Sequence, residues 1–409
     1  MSAAPQISGR QDTLDGVRAV AALGVLVFHV ASSAGSITNP AGARWLFNGG
    51  QVGVPIFFVL SGLLLYRPWA AAVLDGRRPT PRIAQYLWKR FFRIMPALWV
   101  VVVVFMLTAG RDHIDDPLTW GSLLTLTQTY LPDPWWNGNL GPPHLGQLWS
   151  LVVEVAWYVT LPFTAAVLAW WARRAGSDDV GVRAKRLLAG IGAYAALSLV
   201  YTVAMFVPEW HAQMGVWLPR FFVWFAVGMA LAVVTVWARL DERRPVAAMC
   251  RAVSDSWAAC WVAAAMLYVV SATPATGPIG LQHSDTFWTS ALHMIVHGLC
   301  ATALVAPVAL APPDHPVFGA ALGNRVMRFL GRISYGLFLW QSLIIVSWYD
   351  ALDRDFRGNV VTDLPLMAAA TIAAATLSYY LVERPFQAVA RRRRGRSRPA
   401  PAPAPARSS

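Results

Sequence analysis

The chain reads as an all-α integral membrane protein, a bundle of about ten transmembrane helices with the N- and C-termini cytoplasmic. Three observations predict this class. Hydrophobic residues make up 56% of the 409 positions and charged residues 13%, roughly half the charged fraction of an ordinary soluble domain. Apolar stretches recur along the chain, each near the ~20 residues that cross a hydrocarbon core. Finally, the 34 lysines and arginines fall on alternate sides of those stretches, which sets the orientation by the positive-inside rule.

The spans are expected at residues 14–36, 50–72, 88–109, 146–172, 187–207, 216–238, 256–273, 286–311, 331–350 and 363–386. With the N-terminus inside, only Arg44, Arg111, Arg220, Arg354 and Arg357 of the basic residues lie outside. An even number of spans returns the basic tail to the cytoplasmic side. The stretch 118–132 is too short to cross and is expected to lie in the interface or re-enter. Asp12, Asp15 and His29 are out of place in a cleaved signal peptide, so the first span is expected to be retained. Three units follow: a cytosolic segment 1–13, a transmembrane domain 14–388, and a basic, Pro/Ala-rich disordered tail 389–409.

The net charge of +13 would hint at nucleic acid in a soluble chain. Between apolar runs it points to membrane lipids, with anionic headgroups at the tail, and to no nucleic acid. Cys250, Cys260 and Cys300 are too few and too scattered for a disulfide framework or zinc site. His293 and His297, in "HMIVH", share a helix face but lack the glutamate of a zinc-protease helix, so no metal is expected. Trp135 and Trp136, in the outer loop 111–145, suit an interfacial belt or a sugar-stacking surface.

The polar residues at membrane depth carry the functional signal. Arg18 and His29 are eleven residues apart, so they share one face and are separated by about 16 Å of rise. Arg18 is either a positive-inside anchor or a ligand for an anion. His29 is either a hydrogen-bonded packing residue or a base. Asp15 lies one turn before Arg18 on nearly the same face. Glu154, about 12 Å into its span, falls at nearly the depth of His29, and the two could pair. Ser61, followed by Gly62, lies near mid-span and permits close helix approach. Arg90 and Arg93, at i and i+3, form a two-armed cationic face of the kind that suits phosphate oxygens. Tyr335 and Gln341 lie in the ninth span. Glu383 and Arg384 end the tenth, where Pro385 suggests a helix end.

The order of these motifs resembles the family-3 membrane acyltransferases, bacterial integral-membrane O-acyltransferases. The resemblance rests on Arg18 and His29 in the first span, "GVPIFFVLSG" in the second and Arg90-Phe91-Phe92-Arg93 in the third. "LWSLVVEVAWY", "ISYGLFLW" and "ERPF" complete it, so that it covers residues 12–388. Gln341 departs from the family, many members having histidine there. The resemblance implies ten helices in the bacterial cytoplasmic (inner) membrane and an acyl-CoA co-substrate, commonly acetyl-CoA. The acceptor it implies is a hydroxyl on a sugar, glycolipid, surface polysaccharide or macrolide of the cell envelope. It implies His29 and Glu154 as catalytic residues and Arg18, Arg90 and Arg93 as the residues that hold CoA. Ser61, Trp149, Tyr158, Tyr335 and Gln341 become candidate substrate-binding residues. The C-terminal periplasmic hydrolase domain that some members carry is not expected here.

The chemistry fits the residue types. A hydroxyl is a poor nucleophile at neutral pH, so acyl transfer calls for a base in hydrogen-bond reach, while the thioester supplies the leaving group. Direct transfer and a transient acyl-histidine both remain open. The rival reading is a multi-span exporter of a glycan or glycolipid, for which midplane polar groups are also expected. Against it, no pair of related halves is visible in the sequence.

Overall fold

The computed structural model describes residues 5–7, 9, 11–37, 44–174, 176–242, 245–277, 286–354 and 357–392. Among them there is helix but no β-strand. Apolar runs become helices because lipid offers the backbone no partners, so each N–H and C=O must be satisfied within its own segment. Helix α1 is Asp12–Ser33, and a 3-10 turn, Arg44–Val52, leads into α2, Gly53–Leu74. Next come α3, Ile83–Leu107, and the short α4, Pro117–Thr125. The middle of the chain holds α5, Leu148–Arg173, α6, Val180–Phe206, and α7, Phe222–Leu240. Helices α8, Pro245–Asp255, and α9, Trp257–Ser271, meet at a 65° bend. They are followed by α10, Phe287–Leu310, the short α11, Pro316–Ala321, and α12, Arg325–Ala351. Last, α13, Val360–Ser378, passes through a π turn, Tyr379–Glu383, into α14, Arg384–Arg392. Among the described residues nine helices are long and apolar enough to cross a membrane, and the bent pair makes ten if read as one span.

Close backbone approaches set the centre of the bundle. A Cβ on Gly62 of α2 would lie 2.2 Å from the Phe225 carbonyl oxygen of α7, and one on Gly228 would lie 2.0 Å from that of Val59. Only hydrogen fits at these positions, so α2 and α7 pack backbone to backbone. The pairing of α1 with α12 is of the same kind. Asp12 bonds Arg328 at 2.9 Å, Gly331 faces the Asp15 carbonyl, and Gln341 meets His29. These contacts ascend together along both helices, which are therefore parallel. Helix α2 runs antiparallel to α1: Gly53 faces Ala21, and Arg67 donates to Gln11. One end of the bundle thus gathers Arg18, Arg67, Arg90, Arg93 and Arg328, and is called the basic end below.

Two expectations about elements need adjustment. The segment 239–251, read as a loop, contains most of α8. Val246, Ala247, Cys250 and Ser254 are buried along one face of that helix, as an amphipathic helix lying across the bundle requires. Pro385 does not end the last span. It sits in the first turn of α14, where a missing N–H costs nothing, and the π turn before it absorbs the extra residue. As expected, the stretch 118–132 forms no helix long enough to span, and it opens with most of the short α4. Asp116 accepts from the backbone N–H groups of Leu118 and Thr119, at 3.0 and 3.3 Å, to start α4. The Thr119 hydroxyl and those amides hold its carboxyl below the usual range. Leu126, with φ of 58°, closes α4. The expected basic tail beyond residue 392 lies outside the described residues.

Candidate active site

A cavity opens among α1, α2, α3, α5 and α12. It contains about 820 Å³ of space between atoms, open solvent included. Its wall at the basic end carries Arg18, Arg90 and Arg93, with Leu64, Leu65 and Ile94. Its middle carries Ser61, Glu154, Tyr158 and Tyr335, and its far end is apolar, formed by Val25, Val54, Phe57, Phe58 and Phe338.

Each polar group in this wall is held by a defined neighbour. The Arg18 Nη1 donates to Asp15 Oδ1 at 2.7 Å, the i, i+3 pairing that the sequence places on one face. The Arg90 guanidinium lies 6.0 Å from the Tyr158 ring centroid, at the outer limit of a cation–π contact. Glu154 accepts twice on the same oxygen, from Ser61 Oγ at 2.6 Å and from Tyr158 Oη at 2.5 Å. Tyr158 reaches it because i and i+4 share a helix face. Tyr335 Oη donates to the Ile94 carbonyl at 2.8 Å and ties α12 to α3 beside Arg93. Three guanidinium groups therefore share one cavity with a single lining carboxylate. Such a space favours a ligand with several negative charges, and the forked donors of arginine match phosphate oxygens.

Seven residues singled out from the sequence thus meet in one cavity: Arg18, Ser61, Arg90, Arg93, Glu154, Tyr158 and Tyr335. Three do not line it. Trp149 is five positions from Glu154, about 140° around α5, and its ring packs on Phe221 at 5.3 Å instead. His29 and Gln341 lie one turn beyond the apolar end. On α1 the face bearing Arg18 and Val25 continues to His29, and on α12 the face bearing Ser334 and Phe338 continues to Gln341. His29 and Gln341 are buried against each other and pair side chain to side chain, and the His29 ring also meets the Val25 backbone. The hydrogen bond expected between Glu154 and His29 is not formed. Helix α2 packs against both α1 and α5, and its Ser61 meets Glu154 first.

Other residues enter from outside the sequence reading. Ser150 lines the cavity, and its signal was its place four residues before Glu154 on the same helix face. Phe338 and Val25 gave no signal, since apolar residues are the background of a membrane span. Ser61 and Gly62, read together as a packing pair, divide the work: Gly62 packs on α7 and Ser61 bonds Glu154. The His293 and His297 rings lie tilted with centroids 3.9 Å apart, with Trp224 at 6.0 Å from His293. Among the described residues no group of three potential ligands could hold a metal ion. Trp135 stacks on His113 at 3.8 Å and donates to Thr119, so it is engaged within its own loop.

The family model for the acyltransferase domain matches residues 11–383. Peptidoglycan O-acetyltransferase OatA of Listeria monocytogenes is 25% identical over 395 residues, covering 92% of this chain and 55% of that protein. YrhL of Bacillus subtilis, provisionally named a peptidoglycan O-acetyltransferase, is 24% identical over 393 residues, covering 91% of this chain and 54% of that protein. Nodulation protein 10 of Rhizobium leguminosarum is 30% identical over 193 residues, covering 43% of this chain and 50% of that protein. The chain thus spans about half the length of these relatives. No solved structure matches.

Proposed function

This chain belongs to the acyltransferase family, and from that premise we propose that it is a bacterial inner-membrane O-acetyltransferase. In this reading it moves an acetyl group from acetyl-CoA to a hydroxyl of a cell-envelope glycan or glycolipid. The observation that carries the reading is the cavity with Arg18, Arg90 and Arg93 at one end and a single lining carboxylate, Glu154, in its middle. CoA is a polyanion at one end and a thin, flexible thioester arm at the other, and the cavity has the same two-part character. The arginines hold the phosphates, and the arm extends between Leu64, Ser61 and Tyr335 toward the apolar end.

His29 supplies the base. Its imidazole takes the proton of the acceptor hydroxyl as the oxygen attacks the thioester carbonyl. The C–S bond breaks, and the CoA sulfur leaves with the proton carried by the imidazolium. Glu154 acts on the donor side, holding the Ser61 and Tyr158 hydroxyls along the cavity wall. The basic end faces the cytoplasm, where acetyl-CoA is made, and the far end faces the acceptor. The names of OatA and YrhL make peptidoglycan sugars the first acceptor to try.

The test is reconstitution in proteoliposomes with radiolabelled acetyl-CoA and a peptidoglycan fragment. The wild type is expected to label the fragment, and His29→Ala to lose about 100-fold or more of the rate, the scale of general-base removal. Full transfer by His29→Ala contradicts the assignment of the base. Movement of the glycan across the membrane without acetylation favours the exporter reading.

A further inference from the structure

The arginine-lined cavity stops one turn short of His29, and the residues at that boundary have a specific arrangement. Arg18, Val25 and His29 fall at i, i+7 and i+11 on α1, within about 40° of one another around the helix. Ser334, Phe338 and Gln341 fall at i, i+4 and i+7 on α12, within about 60°. Helices α1 and α12 are parallel, so both stripes ascend in the same direction. Val25 is therefore about 6 Å of rise below His29, and Phe338 about 4.5 Å below Gln341. Val25 and Phe338 therefore stand between the cavity and the His29–Gln341 pair on these two helices.

Phe338 is the member of that boundary with open surface left. Phe58, on the opposite wall, is clamped by a stack on Phe225 at 4.6 Å and by edge contact with Phe221 at 5.7 Å. Val25 is branched at Cβ and 3% exposed, so its rotamer is fixed. Phe338 is only partly buried, its open surface faces the cavity, and its neighbours Leu337 and Leu339 are buried on the other side of α12. Beyond it lie buried polar groups: the paired His29 and Gln341, and Gln147, whose Oε1 has no partner while its Nε2 reaches the neighbouring Leu339 carbonyl at 2.9 Å. Polar groups of this kind call for a polar ligand or water.

We infer that Phe338 is the specificity-determining residue of the acyl donor: its ring closes the passage between the thioester cavity and His29 and admits only a short acyl group. The inference rests on the acetyl-CoA reading above. A two-carbon acyl group needs only a small displacement of the ring to bring its carbonyl to the acceptor hydroxyl. Each added methylene must be fitted against Val25, Phe57 and Phe338, and one methylene in an apolar pocket changes kcat/KM by about 10-fold or more.

The experiment compares kcat/KM for acetyl-, butyryl- and hexanoyl-CoA with one acceptor, in full-length protein held in nanodiscs, for wild type, Phe338→Ala, Phe338→Leu and Phe338→Trp. The butyryl-to-acetyl ratio is expected to rise about tenfold or more in Phe338→Ala and by a smaller factor in Phe338→Leu. Phe338→Trp is expected to lower it. The leucine variant preserves an apolar side chain of similar reach and reads the effect even if the alanine variant folds poorly. Ratios within about twofold of wild type in the leucine and tryptophan variants, with wild-type transfer intact, overturn this inference alone. Absence of transfer by wild type from every thioester overturns the acetyl-CoA reading and this inference with it.

Discussion

At the scale of single residues, the decisive fact is which partner Glu154 takes. A carboxylate that accepts two hydroxyl hydrogen bonds at 2.5–2.6 Å is fixed by charge-assisted bonds worth about 1.5–3 kcal/mol each. It also lowers the positive charge of a cavity with three guanidinium groups. Glu154→Gln keeps the shape and removes the charge. It is expected to leave acetyl-CoA affinity unchanged or tighter while kcat falls by about tenfold or more, since each 1.36 kcal/mol in the barrier is a factor of ten. Steady-state kinetics with separate kcat and KM check this, and an unchanged kcat counts against a role for the carboxylate beyond packing. The ionisable residues of this site were legible in the sequence because charge inside an apolar run is costly and therefore conspicuous. Their pairing was not. Equal depth allowed Glu154 to meet either His29 or Ser61, and only the position of α2 decides between them. Phe338 and Val25 were invisible for the opposite reason, being apolar residues in an apolar segment.

At the scale of elements, the spans were legible from length and hydropathy, but their ends and interruptions were not. The bend between α8 and α9 falls at Ser256, after a helix of 11 residues that is too short to span by itself. The π turn at Tyr379–Glu383 leaves no mark in composition. What holds the elements together is clearest at α2 and α7. Their contact depends on two glycines whose Cβ positions coincide with backbone atoms of the opposing helix. Gly228→Val is therefore expected to destabilise the protein by at least about 1–3 kcal/mol, the cost of overpacking a filled interface. Gly192→Ala on α6, where a Cβ meets nothing within 4 Å, is the matched control and is expected to be neutral or slightly stabilising. Thermal unfolding in detergent measures both. Equal midpoints for the two variants contradict the backbone-to-backbone packing of α2 on α7.

At the scale of the molecule, the bundle places positive charge at one end of a cavity and apolar residues at the other, with a polar pair beyond them. The sequence indicated the first of these through the distribution of arginines. It could not indicate the second, which arises from α1 and α12 running parallel with their stripes in register. The central claim is that the arginine end of the cavity is the seat of a CoA thioester, and equilibrium binding tests it without relying on turnover. Purified protein in nanodiscs is titrated with a non-hydrolysable acetyl-CoA analogue, for wild type, Arg90→Ala/Arg93→Ala and His29→Ala. The account predicts saturable binding by wild type, affinity unchanged in His29→Ala, and a loss of about tenfold to a hundredfold in the double arginine variant, as removal of charge-assisted phosphate contacts requires. Binding of the analogue by the double variant as tightly as by wild type would contradict it.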